Sequence, residues 1–255
     1  GRMTPWEDMA GELDQWAEAG RIATFWWRDD DATEPTDELE RLLGLRSELG
    51  APLALAVIPA KARSDLASSL AGASNVAVLQ HGFAHANHCP DVRRKSELGP
   101  HRPAWNVAQE LTAGRAKLGE IFGERLLPVL VPPWNRIDAG HVALLPGLGY
   151  TGLSTFAARE TREAAPGVTQ VNTHVDVIDW SGTRRFIGEA AAVGAAVAHL
   201  AARRAGAADI DEATGLLTHH LAHDADAWAF AQRLVAVTAA HGGARWISAA
   251  EAFAP

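Results

Sequence analysis

Three stretches of this sequence carry side chains that could do chemistry together. The first is Arg28-Asp29-Asp30-Asp31, where an apolar run ends in three adjacent carboxylates. Like charges packed this closely are unfavourable without a positive partner. The second is His81-Gly82-Phe83-Ala84-His85. Histidines at this spacing face the same way on one helical turn, and Gly82 allows a tight start. The third is His219-His220. Two histidines and one aspartate make a three-ligand site with open positions, as in catalytic zinc centres. The histidine pair lacks the Glu of the H-E-x-x-H zinc proteases, so its base must come from elsewhere. A neighbouring aspartate can accept the proton of the attacking water, because zinc brings a water's pKa to around 7. For such a histidine pair the ordinary alternative is surface or capping chemistry, against which the acid cluster weighs.

These residues must be positioned by the elements that carry them. Thr4 caps an expected helix over Pro5 to Ala19, with Gly20 as its stop. Ile22 to Trp27 reads as the first strand, with Trp26 and Trp27 as core and the acids just beyond its end. Further strands are expected at Leu53–Ile58, Val76–Leu79, 126–131, 152–154, Val171–Ile178, Thr214–Thr218 and 245–247. Helices are expected between them, the longest from Pro103 to Phe122. Residues 86–102 form a long polar loop, a candidate lid that carries Cys89, His88 and His101. Residues 155–170 show no clear pattern. Strands and helices alternating at roughly 30-residue intervals imply a parallel sheet with helical crossovers. We therefore expect a single α/β domain over residues 1–255, a distorted (β/α) barrel of about seven parallel strands. In such a barrel the strand ends that carry the acids, the histidines, Pro132-Pro133-Trp134-Asn135, Asp176, Asp179-Trp180 and His219 converge on one face.

Composition narrows the function classes. The chain has 23 Lys and Arg against 31 Asp and Glu, a formal net charge of -8, which argues against nucleic-acid or anionic-membrane partners. One cysteine excludes an internal disulfide. No run approaches the roughly 18 apolar residues of a membrane span. No basic segment followed by an apolar core opens the chain, so the cytoplasm is the expected location.

From Trp26 to His220 the order of these motifs resembles that of the polysaccharide deacetylases of carbohydrate esterase family four. The family's first motif pairs two aspartates, one the base and the next a metal ligand. The resemblance puts the base at Asp30 and the ligand at Asp31, because Ala32 then matches the family's small residue. The register Asp29 and Asp30 is the alternative. His81 and His85 match the two metal-binding histidines of the second motif. Val131-Pro132-Pro133-Trp134 is similar to the third motif, with Val131 where the family has an arginine that helps hold the catalytic aspartate. Arg28 or Arg136 could take that part. Asp179-Trp180 matches the fourth motif and Leu217-Thr218-His219 the fifth.

The resemblance implies one divalent metal, zinc first, with cobalt, nickel or ferrous iron as alternatives. It also implies a small-molecule or glycan substrate and an N-deacetylase, a hydrolase of C–N bonds other than peptide bonds. Neighbours on a strand point to opposite faces, so only one of the two histidines can join Leu217, and period two selects His219. His219 would then be the general acid, supported by Asp179 or Asp176, with Leu217 lining an acetyl pocket. Pro133, Trp134, Asn135 and Trp180 would contact the sugar. The competing expectations are hydrolysis of a non-sugar amide on the same fold, and a catalytically weakened carbohydrate-binding relative. An iron oxygenase also uses two histidines and a carboxylate, but the alternating βα pattern argues against it. Oligomeric state is left open.

Overall fold

A computed structural model describes residues 1–255. In chain order its elements are α1 (Pro5–Glu18), β1 (Ala23–Ala32), α2 (Asp37–Leu49), β2 (Leu53–Val57), α3 (Asp65–Leu70) and β3 (Val76–Gln80). Then come α4 (Ala104–Phe122), β4 (Leu126–Leu130), α5 (Ala139–Val142), β5 (Gly152–Leu153), β6 (Glu163–Ala165), β7 (Val168–Gln170) and β8 (Val175–Asp176). The chain ends with α6 (Glu189–Ala205), β9 (Thr214–Thr218), α7 (Ala225–Ala239), β10 (Ala244–Trp246) and α8 (Ala249–Ala252). Local chemistry explains several boundaries. The hydroxyls of Thr4 and Thr36 accept the Glu7 and Leu39 amides and start α1 and α2. Gly50, left-handed at φ 65°, ends α2.

All ten strands belong to one sheet, and every pairing is parallel except β6 with β7. β1 to β5 follow one another around the sheet, and β9 lies on the other edge of β1. One segment, Val168 to Val177, closes the ring. The amides of Thr169, Val171 and Thr173 donate to carbonyls of Thr151, Leu153 and Thr155 on the β5 side. Those of His174 and Val177 donate to Gly215 and Leu217 of β9. The result is a (β/α) barrel of seven parallel staves, as the sequence suggested, with β6 and β10 added outside the ring. The closing stave begins at Val168 rather than Val171 and is irregular between β7 and β8. Residues 155–170, which gave no clear pattern, hold only the short β6 and β7 joined by loop.

Strand alternation sorts the core into two shells. Phe25, Trp27, Leu53, Leu55 and Val57 face outward and pack under α1, α2, α3, α6 and α7. Trp26, Ala54, Ala56, Leu79, Val129 and Val131 form a separate interior cluster. Phe253 meets Trp26 edge-on there, at 5.5 Å between centroids. No helix is long and apolar enough to cross a membrane.

Candidate metal centre and active site

The site starts from β1, and here the structure corrects an expectation. The strand does not stop at Trp27 but runs through all three acids to Ala32. Asp29 and Asp30 are buried, so the carboxylates belong to the barrel wall rather than to a following loop. Arg28 and Asp30 share the inward face with Trp26, and Asp29 faces out. Regular alternation would also turn Asp31 outward. Instead the pairing of β1 with β2 slips between Asp30 and Ala32, and Asp31 adopts φ 81°. This bulge re-aims Asp31 toward the histidines beside Asp30.

Asp31 Oδ1 lies 3.1 Å from His81 Nε2 and 3.4 Å from His85 Nε2. His81 Nδ1 is 2.8 Å from the Val131 carbonyl. A proton on Nδ1 therefore donates to that carbonyl and leaves the Nε2 lone pair facing Asp31. The ligand atoms of Asp31, His81 and His85 all lie within 4.8 Å of one another. Two imidazole nitrogens and one carboxylate oxygen, converging with one nitrogen already oriented, fit a divalent transition metal. Burial alone would raise the Asp31 carboxyl, but the hydrogen bond and charge of His81, with His85 and His219, hold it well below the usual carboxylate range. Burial opposes a charge on His81, yet Asp30 and Asp31 outweigh it and raise this imidazole above its ordinary value. His85 is lowered by burial and by His81.

The histidines do not meet through a helical turn. Residues 81–87 form an irregular bend, with Gly82 at φ 59° and His85 at φ 56°. Glu97 holds that bend. Its carboxylate accepts the amides of Phe83, Ala84 and Ala86 at 2.8, 3.0 and 2.9 Å. A β-carbon on Gly82 would lie 2.2 Å from Glu97 Oε1 and 2.6 Å from Pro133, so the tight approach needs glycine. Glu97 is only 1% exposed and was missed at the sequence level, where residues 86–102 read as a lid. That loop is instead tied down on this side, with Leu98 also bridging to Ile137.

Asp30 is bound two-pronged by Arg28, Nε to Oδ1 at 2.9 Å and Nη2 to Oδ2 at 3.1 Å. Its Oδ2 is 3.9 Å from His81 Nε2. Arg28 also donates to Ser154 Oγ at 2.7 Å, the Thr155 carbonyl at 3.2 Å and Asn135 Oδ1 at 2.7 Å. Val131, at the position of the family's arginine, is a plain interior residue. Arg136 points away and donates to the Lys95 carbonyl. Asp29 lies on the opposite face, where it accepts from Thr218 Oγ1 and the His220 amide and pairs with the His220 ring.

His219 Nε2 is 3.0 Å from Asp176 Oδ1, and Nδ1 has no protein partner. Burial pushes this imidazole down, but Asp176, with Asp30 and Asp31, raises it above its ordinary value. Asp179 is not the partner: its carboxylate accepts the Thr183 amide at 3.2 Å within its own turn. Trp180, 43% exposed, meets His219 edge-on at 4.9 Å. Trp134, at φ 56°, lies 4.4 Å from His85 beside the buried Pro133. Leu217 pairs with Arg28 across the sheet and so shares its inward face. Among the expected site residues, Asp179 falls outside this constellation, as do the alternatives Asp29 and Arg136. Four of the seven non-glycine residues with positive φ (Asp31, His85, Trp134 and Asn135) belong to it, a concentration typical of functional sites.

A second His/His/Glu group lies elsewhere, fully buried: His174, His199 and Glu212. Gly215 N–H donates to His174 Nδ1 at 2.9 Å, so in the neutral ring the proton sits on Nε2 and points at Glu212 Oε1, 3.0 Å away. A nitrogen carrying a proton has no lone pair for a metal. Glu212 also accepts the amides of Arg159 and Asn172 and thereby anchors the closing stave.

No family model matches the sequence, and no curated protein matches it. Solved structures do match its fold. A Mycobacterium smegmatis protein assigned as a polysaccharide deacetylase superposes with a TM-score of 0.65 at 19% identity, over 89% of this chain and 87% of that one. A family 4 acetyl xylan esterase from Clostridium thermocellum, in complex with a cobalt ion, gives 0.52 at 11% identity over 90% of each chain. A peptidoglycan N-acetylglucosamine deacetylase gives 0.56 at 12% identity, over 91% of this chain and 88% of that one. The fold is the one that these polysaccharide deacetylases and family 4 carbohydrate esterases share. The order of motifs in the sequence pointed to the same fold.

Proposed function

We propose that the protein is a metal-dependent deacetylase that removes an acetyl group from an N-acetylated sugar or glycan. The observation that carries this reading is one constellation at the barrel mouth. Asp31, His81 and His85 converge there, Asp30 stands beside them in the grip of Arg28, and His219 completes the set in the grip of Asp176.

A divalent cation held by Asp31, His81 and His85, with zinc or cobalt as the first candidates, would polarise the acetyl carbonyl and make an attacking water more acidic. Asp30 accepts the proton of that water as it adds to the carbonyl carbon, and Arg28 fixes the orientation of the accepting oxygen. His219, held by Asp176, gives a proton to the departing nitrogen as the C–N bond breaks. Acetate and a free amine result. Leu217 lines the acetyl pocket, and Pro133, Trp134, Asn135 and Trp180 surround the sugar.

The test is acetate release from N-acetylglucosamine oligomers, with and without a chelator. Asp30→Asn should lower kcat by about 100-fold or more, within the usual range for losing a general base, while the protein still binds metal. Full activity in that variant would remove Asp30 from the mechanism.

A further inference from the structure

Asp29 is the one member of the acid run that the proposed chemistry does not use. It is fully buried on the outer face of β1, and the side chains and amide it meets belong to the residues on either side of His219. Thr218 Oγ1 donates to Asp29 Oδ2 at 2.6 Å, and the His220 amide donates to the same oxygen at 3.1 Å. The His220 ring closes on Oδ1 through Nδ1. We infer that Asp29 and His220 are positioning residues for the general acid: together they clamp the backbone around His219 and so set its ring relative to Asp30. The catalytic part of this inference rests on the deacetylase reading, but the clamp itself does not.

Three observations lead there. The first is where the sheet stops. β9 pairs with β1 from Thr214 to Thr218, and Thr218 lies opposite Asp29. His219 comes next, beyond the ladder, at φ -139° and ψ 84°. Its backbone is held by other means. Its amide donates to His223 Nε2 at 3.1 Å, and its carbonyl accepts the Ala222 amide at 2.8 Å. Asp29 takes the hydroxyl of the residue before it and the amide of the residue after it.

The second observation is connectivity. Asp29 is covalently joined to Asp30. One stretch of β1 therefore presents the base on its inner face and grips the carrier of the acid on its outer face. Any slip of Asp29 against the end of β9 changes the separation of base and acid.

The third is cost. Asp29, Thr218 and His220 are each at most 1% exposed. Burying a carboxylate beside an imidazole is expensive, and well-packed apolar side chains of similar volume often stabilise a protein as well or better. Trp27 Nε1 adds a further polar contact, donating to Thr218 Oγ1 at 2.9 Å. A polar set supplies what an apolar one lacks, which is direction, because hydrogen bonds hold their partners at fixed lengths and angles.

The experiment uses the full chain loaded with zinc and two substrates. The N-acetylglucosamine tetramer has an amine leaving group that requires a proton, whereas 4-nitrophenyl acetate releases an anion that is stable without one. Asp29→Asn should lower kcat on the tetramer by about tenfold to 100-fold, with KM within about twofold. Its chelator-sensitive hydrolysis of 4-nitrophenyl acetate should stay within about twofold of the wild type. His220→Asn, whose amide nitrogen can donate where Nδ1 does, should keep most of the tetramer rate, and His220→Leu should lose as much as Asp29→Asn. Histidine 1H–15N NMR gives a readout apart from activity, with the His219 ring signals assigned through His219→Gln. Those signals should move in Asp29→Asn and His220→Leu and hold their place in His220→Asn. Circular dichroism melting checks folding, and if Asp29→Asn does not melt cooperatively the two His220 variants carry the test. An equal fall on both substrates, equal tetramer rates in His220→Leu and His220→Asn, or unmoved His219 ring signals would overturn the clamp and leave the deacetylase reading standing. If the wild type releases no acetate from the tetramer, the deacetylase reading falls, and the ring signals alone uphold or overturn the clamp.

Discussion

Arg28 is the residue on which the chemistry of this site turns. It is fully buried, and it spends its donors on Asp30, Ser154, Thr155 and Asn135. A buried guanidinium is tolerable only when paired and hydrogen-bonded in this way. The fork-shaped contact also fixes both oxygens of Asp30, which lysine could not do. Arg28→Met should therefore lower kcat by about 100-fold, comparable with loss of the base itself, while zinc affinity changes little because no metal ligand is touched. Adding Val131→Arg should restore part of that rate if the guanidinium is needed beside Asp30 and not at one backbone position. Steady-state kinetics with zinc titration on both proteins checks this. A stability defect alone would lower Tm in Arg28→Met without the rescue.

At the scale of elements, the site depends on two departures from regular structure: the Asp31 bulge in β1 and the bend over residues 81–87. Glu97 supplies the bend with a shared acceptor for three amides. Removing it leaves those part-buried donors without their acceptor, at a cost of up to about 1–3 kcal/mol each. Glu97→Ala should weaken zinc binding by about 10- to 100-fold, the range seen when groups that orient metal ligands are lost. Competition with a chromophoric chelator measures it. The regular parts of these elements were legible in the sequence. Thr4, Thr36 and Gly50 announce helix ends through their own chemistry, and the apolar runs at Leu53 and Val76 announce buried strands. The departures were not legible. Charged residues seldom occupy a strand interior, so Arg28 to Asp31 read as following β1 rather than belonging to it. The bulge leaves no mark in composition, and the His81–His85 spacing fits a helix as well as a bend. Glu97 lies in a polar loop and acts across a gap in sequence that no local pattern spans. The sequence left Asp176 and Asp179 both open as partners of His219, and the turn at residues 179–185, which takes up the Asp179 carboxylate, decides between them.

The whole molecule is a ring, and its closure depends on the stave anchored by Glu212. Four groups meet that carboxylate: the amides of Arg159 and Asn172 and the rings of His174 and His199. The two imidazoles stack 3.4 Å apart. Burial pushes His174 down to about 4, against the opposing pull of Glu212. Between an unfolded value near 6.5 and that folded value, the unfolded chain binds a proton that the folded chain refuses. Stability from this group is therefore present above that window and declines as pH falls through it. The loss at pH 5 is about 2 kcal/mol relative to pH 7. Urea unfolding at the two pH values should show the decline. His174→Gln should be less stable at pH 7 but lose less on acidification. An identical pH slope in both proteins would place the acid sensitivity elsewhere.

The bulge at Asp31 has a consequence for anyone wishing to move this site to another scaffold. Copied onto a regular strand, Arg28-Asp29-Asp30-Asp31 would deliver a base to one side of the sheet and a ligand to the other. The smallest transplantable unit is thus a piece of backbone, β1 with its slipped register against β2 and the left-handed residue between. The side chains can be copied by mutation, but the shape that makes neighbours share a face must be copied with them.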